Sequence, residues 1–435
     1  MFELPNLMHT KKINVLIFPS GAENAIEVYR AIRHSIHINA FGATSRDDIS
    51  QLIYGSQILS LPEMDCPEFI TELNQLIYDH EIDIVFPTHD SAALHLATHA
   101  DRISAKVVNS DLYTNKICRH KRLTYDLFRD EAFCPTVFGH KISPSYYPIF
   151  AKPDVGQGGK GARIIQDSAE YKRLEEDSGL VFLEYLPGRE FTVDCFTDRT
   201  GALLFAGTRE RVEVRMGISF RSQEVETTPE IRDIAEQINA ALTLRGLWFF
   251  QLKESREGKL KLLEVSTRAA GTGGFFRHKG INLPLLTIFD LLERPLEIRA
   301  NAYEVELFRT TSNCYLYAFE YQRVYVDFDD TLVVNGKINS ELIRFLYEAV
   351  SSGKRLILIT KHEKKPEDTL RSYKVCSDLF DEIIHLDAEE SKVDHIDPEG
   401  AIFIDNWYKE RKEVSDAYDM PVFDVDAVES LIHSL

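Results

Sequence analysis

A chain of 435 residues is too long for one ordinary hydrophobic core and suggests roughly three folding units at about 150 residues each. Hydrophobic residues at 44% and charged residues at 27% are those of a water-soluble globular protein, and no long charge-free apolar stretch offers a membrane span. A net charge of -19 repels a nucleic-acid backbone, and six dispersed cysteines without a C-x-x-C pair fit reduced thiols in the cytoplasm.

The first segment alternates strand and helix signals. Residues 13–18 form an apolar strand, 23–33 a helix, 82–86 a second strand and 107–108 a further short one. This pattern predicts a parallel sheet with helices on its faces, and open α/β sheets bind ligands at the carboxyl ends of their strands. Pro87-Thr88-His89-Asp90 stands at such an end. Its polar residues either line a site or form a structural turn. From about residue 115 to 299 short strands with turn signals alternate with helices, as in an α+β domain, and 283–292 reads as a buried helix although it holds Asp290.

Within this middle segment Gly156, Gly158 and Gly161 satisfy G-x-G-x-x-G, but residues 162–165 read as a strand. A dinucleotide loop must open a helix, so that reading fails. A glycine hairpin between two strands, including Gly159, lets backbone N–H groups approach phosphate oxygens; the alternative is a surface hairpin. Lys152 ends the preceding strand. Further on come Glu184, a Pro-Gly turn and Glu190, then Gln251 on one strand and Glu264 on the next. Two oxygen-bearing side chains on adjacent strands suit Mg²⁺ held against phosphates.

In this order the motifs resemble the ATP-grasp superfamily, in particular its carbamoyl-phosphate-synthase-like ligases, over roughly residues 11–320. The resemblance implies ATP and Mg²⁺ as cofactors, with Lys121 and Lys152 on the nucleotide and Gly156, Gly158, Gly159 and Gly161 in a lid over its phosphates. It implies that Glu184 and the backbone of Leu186 meet adenine, Glu190 the ribose, Gln251 and Glu264 the metal, and Arg268 the transferred phosphoryl group. Ser266 stands where an asparagine usually completes the metal shell, and His120 precedes Lys121 where an aspartate is frequent. The implied chemistry phosphorylates a carboxylate to an acyl phosphate that an amine captures. Arg209, Arg211 and Arg215 cluster in an acidic chain, and Arg215 is expected to clamp a substrate carboxylate, against the alternative of a solvated strand face. The run 271–274 offers backbone donors to the acyl phosphate.

The last segment returns to strand–helix alternation, with strands at 324–326, 355–359 and 401–404. The first ends in Asp327-Phe328-Asp329-Asp330-Thr331; Thr360, Lys392 and Asp405 follow. Packed carboxylates repel unless exposed or bound to a cation. This set resembles the haloacid dehalogenase (HAD) superfamily over about residues 323–435. The resemblance implies Asp327 as nucleophile, Asp329 as general acid/base, Thr360 and Lys392 on the phosphate, and Mg²⁺ on Asp327, Asp329 (through its backbone) and Asp405, with Asn406 where a second acid is common. The intervals 331–355 and 361–391 are too short for a cap domain.

The expected architecture is therefore α/β and α+β, multidomain. A Rossmann-like pre-ATP-grasp domain spans 1–114, an ATP-grasp domain 115–320 and a HAD-like Rossmannoid domain without a large cap 321–435. The expected protein is a cytoplasmic bifunctional enzyme. Its partners are a small-molecule carboxylate, an amine and a phosphoester, with a homo-oligomer left open and no nucleic acid or membrane. The rival readings are an ATP-grasp kinase of small molecules, and a nucleotide sensor or scaffold whose Ser266 and Asn406 mark decayed metal sites.

Overall fold

A computed structural model describes residues 11–139, 142–156, 158–310, 315 and 317–432. The chain divides into two compact units, Met1–Thr310 and Thr311–Leu435. Among the described residues no helix is long and apolar enough to cross a membrane.

The first unit opens with a parallel sheet of β1 (Ile13–Phe18), β2 (Ile38–Thr44), β3 (Ile58–Ser60), β4 (Ile84–Pro87) and β5 (Lys106–Val107), in the order β3-β2-β1-β4-β5. Central β1 is apolar at successive positions because both its faces are covered: Val15, Leu16 and Ile17 are fully buried. The apolar run at 82–86 does not start a strand at its first residue. Ile82 instead closes the helix Phe69–Asp79, its N–H bonded to the Ile77 carbonyl, with Glu81 left-handed at φ 49° between them. That is a Schellman closure without its usual glycine, so the sequence carried no stop signal.

Two antiparallel sheets follow. One has the order β6-β9-β7-β8, from β6 (Val137–Phe138), β7 (Ile149–Pro153), β8 (Arg163–Ile165) and β9 (Leu180–Glu184). The other has the order β14-β13-β10-β11-β12-β15, from β10 (Glu190–Thr197), β11 (Leu203–Arg215), β12 (Ile218–Glu224), β13 (Gly246–Glu254), β14 (Leu260–Ser266) and β15 (Glu306–Phe308). Side chains alternate across the larger sheet. Phe191, Val193 and Cys195 of β10, with Trp248, Phe250 and Leu252 of β13, belong to one core. Ile231, Ile234, Ala235 and Ile238 of the helix Pro229–Ala241 complete it. The intervening residues, among them Glu190, Gln251 and Lys253, take the opposite face. The predicted buried helix spans Leu283–Leu291, and Asp290 within it is paired with Arg245 at 3.0 Å.

The second unit holds a parallel sheet ordered β20-β19-β16-β21-β22, from β16 (Arg323–Val326), β19 (Arg355–Thr360), β20 (Glu382–His385), β21 (Ala401–Ile404) and β22 (Val422–Phe423). Between β16 and β19 lie the short hairpin of β17 (Val333–Val334) and β18 (Lys337–Ile338) and the helix Ser340–Ser351, which Asn339 caps. Only the helix Pro366–Ser372, a 3₁₀ turn and β20 lie between β19 and Lys392. Tyr317 and Phe319 pack on this unit's core.

Candidate functional site

The polar face of the larger sheet and the smaller sheet enclose a cavity of about 310 Å³. Lys121, Lys152, Gly156, Gly158, Gly159, Glu184, Leu186, Glu190, Gln251 and Glu264 line it, as do Arg211 and Lys253. Register explains the convergence. Glu190 pairs with Lys253 across β10 and β13, and Gln251 with Glu264 across β13 and β14, so these side chains rise from one face of three adjacent strands.

A bulge between β13 and β14 sets the amine of Lys152. Gln251 opposes Glu264 but Leu252 opposes Leu262, so Leu263 has no place in the ladder. The Leu263 carbonyl instead accepts from Lys152 Nζ at 2.8 Å and from Tyr125 Oη at 2.6 Å. The Tyr125 ring centroid lies 5.2 Å from Nζ. Burial, and then repulsion from Lys121, pushes the Lys152 ammonium down to about 7. Lys121 reaches the Gly156 carbonyl at 3.4 Å, and its neighbour His120 sits 2.9 Å from Asp154, which also accepts from the Arg122 N–H. His120 thus helps anchor the helix that carries Lys121. Glu184 accepts from the Thr136 N–H at 2.7 Å.

Arg211 is the cavity residue sequence reasoning undervalued. It donates to Glu190, to Gln251 Oε1 at 3.1 Å and to the Gly217 carbonyl at 2.6 Å; Lys253 reaches the other Glu190 oxygen at 3.2 Å. The signal was two-residue spacing: Arg211 and Arg209 share a face of β11, whereas the expected clamp Arg215 lies beyond two register shifts. Arg215 stands outside the lining of this cavity. It is largely exposed, pairs with Glu213 at 2.6 Å and stacks over Phe220, away from the cavity lining. Arg209 is buried and pairs with Asp194 at 2.7 Å, a contact that fixes the sheet.

Ser266 and Arg268 also lie outside the lining of this cavity. Ser266 is 3% exposed and donates to Asp90 Oδ1 at 2.6 Å; Arg268 Nε donates to Asp90 Oδ2 at 2.8 Å. The hydroxyl expected in the metal shell is therefore committed to a carboxylate of the parallel sheet. Burial alone would raise the Asp90 carboxyl, but the Arg268 charge and the Ser266 hydroxyl bring it down to about 2. Asp90 thereby gains the partner its sequence context lacked. In the 271–274 run the Gly273 N–H is taken by the Ala270 carbonyl. Gly161, left-handed at φ 79°, packs on Pro153 and is not in the cavity lining.

Among the described residues no three His, Cys, Asp or Glu side chains gather around a metal position. Glu264 and Gln251 nevertheless present hard oxygen donors on adjacent strands, which fits Mg²⁺ whose other ligands are phosphate oxygens and water.

In the second unit Asp327, Thr360 and Asp405 stand at the carboxyl ends of β16, β19 and β21, three adjacent parallel strands. Lys392 bridges Asp327 at 2.7 Å and Asp405 at 2.6 Å. Burial raises the Asp327 carboxyl above the ordinary carboxylate range; Lys392 opposes and Asp405 adds to the shift. Asp329 faces His362 Nδ1 at 2.9 Å, and the His362 Nε2 lies 2.9 Å from the Thr369 hydroxyl. Thr331 Oγ1 donates to Asn406 Oδ1 at 3.1 Å and accepts from the Asn406 N–H at 3.0 Å, joining the first and last motifs.

The family described as "ATP-grasp in the biosynthetic pathway with Ter operon" matches residues 176–312. A 3-methyl-D-ornithine–L-lysine ligase of Methanosarcina acetivorans is 26% identical over 229 residues, 51% of this chain. The match spans 60% of that relative's length. N5-carboxyaminoimidazole synthetase from Staphylococcus aureus, complexed with ADP, superposes with a TM-score of 0.55 at 14% identity, over 66% of this chain and 80% of that one. L-amino acid ligase from Bacillus licheniformis does so with a TM-score of 0.51 at 19% identity, over 65% and 75%. The first unit has the ATP-grasp fold.

Proposed function

We propose that the first unit is an ATP-dependent carboxylate–amine ligase. The observation that carries this reading is the convergence of Lys121, Lys152, Glu184, Glu190, Gln251 and Glu264 on one cavity beside Gly156, Gly158 and Gly159. Glu184 and the Leu186 backbone meet adenine, Glu190 accepts from the ribose hydroxyls, and Lys121 and Lys152 neutralise phosphate charge. Gln251 and Glu264 would hold Mg²⁺, which would supply charge neutralisation at the phosphates. A substrate carboxylate oxygen attacks the γ-phosphorus, releasing ADP and forming an acyl phosphate. The amine then attacks the acyl carbon, phosphate leaves, and one proton is lost from nitrogen. Arg268 is the cation that meets the phosphoryl group, held by Asp90 until substrate arrives. The ligases named above act on amino acids by name, and amino acids are the first substrates to test.

The second unit is read as a HAD-type phosphomonoesterase, supported by the Asp327–Lys392–Asp405 bridge at the ends of three adjacent strands. Asp327, Asp405 and the backbone of Asp329 would hold Mg²⁺, which would supply charge neutralisation at the phosphate. Asp327 takes the phosphoryl group, Asp329 protonates the leaving oxygen, and water then hydrolyses the aspartyl phosphate with Asp329 accepting its proton.

Incubation with ATP, Mg²⁺ and pools of acids and amines, read by mass spectrometry, should give a condensed product. ADP release that needs only one substrate would favour the kinase reading; nucleotide binding without turnover would favour the sensor. Lys152→Ala should abolish condensation and spare phosphoester hydrolysis, and Asp327→Asn should do the reverse. A folded variant that silences both would sink the two-site reading.

A further inference from the structure

The nucleotide-site reading leaves Arg211 without a role. Its guanidinium is buried and makes three contacts that no single structural purpose requires: the Glu190 carboxylate, Gln251 Oε1 and the main-chain oxygen of Gly217. The last lies in the turn joining β11 to β12, where Met216 and Gly217 are both left-handed at φ 49° and 77°. This turn is not a free tip. A Cβ placed on Gly217 would come within 2.5 Å of the Gly158 carbonyl carbon and 2.7 Å of the Gly159 nitrogen. The two backbones touch, and only glycine permits the approach. A planar fork with fixed donor directions can hold a carboxylate on one side and a carbonyl on the other, which a lysine ammonium on its flexible stem cannot do as rigidly.

We propose that Arg211 is a positioning residue that joins the ribose-side carboxylate to the backbone of Gly158 and Gly159, by fixing Glu190 with one hand and the Met216–Gly217 turn with the other. This rests on the ATP-grasp nucleotide-site reading. Nucleotide affinity then depends on a residue that need not touch the nucleotide. Glu190 is aimed by Arg211 and Lys253 together, and Gly158 and Gly159 are supported from behind by a turn whose carbonyl Arg211 holds.

The test uses the full chain. Affinity for Mg·ADP is measured by calorimetry, and trypsin cleavage after the exposed Lys160 is timed without nucleotide, for wild type, Arg211→Met, Arg211→Lys, Gly217→Ala and the Met/Ala double variant. Arg211→Met should weaken Mg·ADP by at least about tenfold and speed cleavage several-fold, with Arg211→Lys between it and wild type. Gly217→Ala spares the Arg211–Glu190 pair but pushes the turn off Gly158, and should also speed cleavage. The double variant should cleave no faster than the worse single one, because both changes break the same link. Unchanged cleavage in Arg211→Met, or effects of the two substitutions that multiply, would overturn the proposal while wild type still binds Mg·ADP. Failure of wild type to bind Mg·ADP would instead overturn the nucleotide site itself. If circular dichroism shows Arg211→Met unfolded, Arg211→Lys carries the same comparison.

Discussion

Asp90 Oδ2 lies 2.8 Å from Arg268 Nε although 178 residues separate them, so the carboxyl edge of the parallel sheet holds the arginine that follows β14. Both side chains are mostly buried. Removing either partner leaves an uncompensated charge, and Arg268→Ala should destabilise the first unit by about 3 kcal/mol. Asp90→Asn keeps an acceptor for Arg268 and should cost less stability. It should still alter the KM for the acid substrate if Arg268 meets the phosphoryl group as proposed, because it changes the charge beside that arginine. Thermal unfolding and steady-state kinetics of both variants check this. Equal stability losses with unchanged KM would leave Asp90 a purely structural residue.

Ser266 offers a sharper version. Its hydroxyl is buried and spent on Asp90, so Ser266→Asn must either displace that contact or strain the core. The expected result is lower stability by about 1.5–3 kcal/mol, the range for a hydrogen bond to a charged group, with no tightening of the Mg²⁺ titration. A tighter Mg²⁺ dependence would return Ser266 to the metal shell.

The lowered Lys152 ammonium gives a pH signature. Its value falls from 10.5 to about 7 on folding, so between these values the unfolded chain binds the extra proton and folding is disfavoured by burial of the amine. That part of the stability therefore rises with pH from about 7 to 10.5. Phosphate binding reverses the preference, because an adjacent anion favours the charged amine. Nucleotide binding at pH 8 should take up protons, and affinity should fall as pH rises above about 7. Calorimetry in buffers of different ionisation enthalpy measures the uptake; its persistence in Lys152→Met would assign the proton elsewhere.

Burial places Asp327 above the ordinary carboxylate range, against the pull of Lys392 and with the push of Asp405. On the proposed phosphomonoesterase reading, in which Asp327 is the nucleophile and a protonated carboxyl cannot serve, phosphoester hydrolysis should rise with pH through that raised value. Saturating Mg²⁺ should move the rising limb to lower pH by favouring the ionised form. Lys392→Met removes the opposing charge and should move it to higher pH. A limb that stays in place in Lys392→Met would detach the bridge from the titration.

The sequence made some of this legible and hid the rest for physical reasons. Strands with apolar runs, such as the Val15–Phe18 stretch of β1 and the whole of β21, and the helix Ser340–Ser351 with its Asn339 cap announce themselves locally. Gln251 opposite Glu264 was legible from strand placement, because that pairing needs only one hairpin register, whereas Lys121 and the roles of Glu184 and Glu190 came from the resemblance of the ordered motifs. Two things were not. That Arg211 and not Arg215 reaches the cavity could not be read, because the register shifts in β11 cannot be counted from one strand alone. The partner of Asp90 lies on another sheet, and no local pattern encodes a contact across so many residues.

The slipped rung at Leu263 has a genetic corollary. The anchor for the Lys152 amine is a main-chain oxygen, so a substitution at position 263 leaves that hydrogen-bond acceptor in place. Length is another matter. Gain or loss of one residue in the Ser255–Lys259 turn, closed by their mutual backbone bond, would have to be absorbed by the strand that follows. A shift of one position along β14 would turn Glu264 toward the hydrophobic core and bring an apolar neighbour to face Gln251. The Lys152 anchor thus survives a change of side chain at this point but not a one-residue slip of β14.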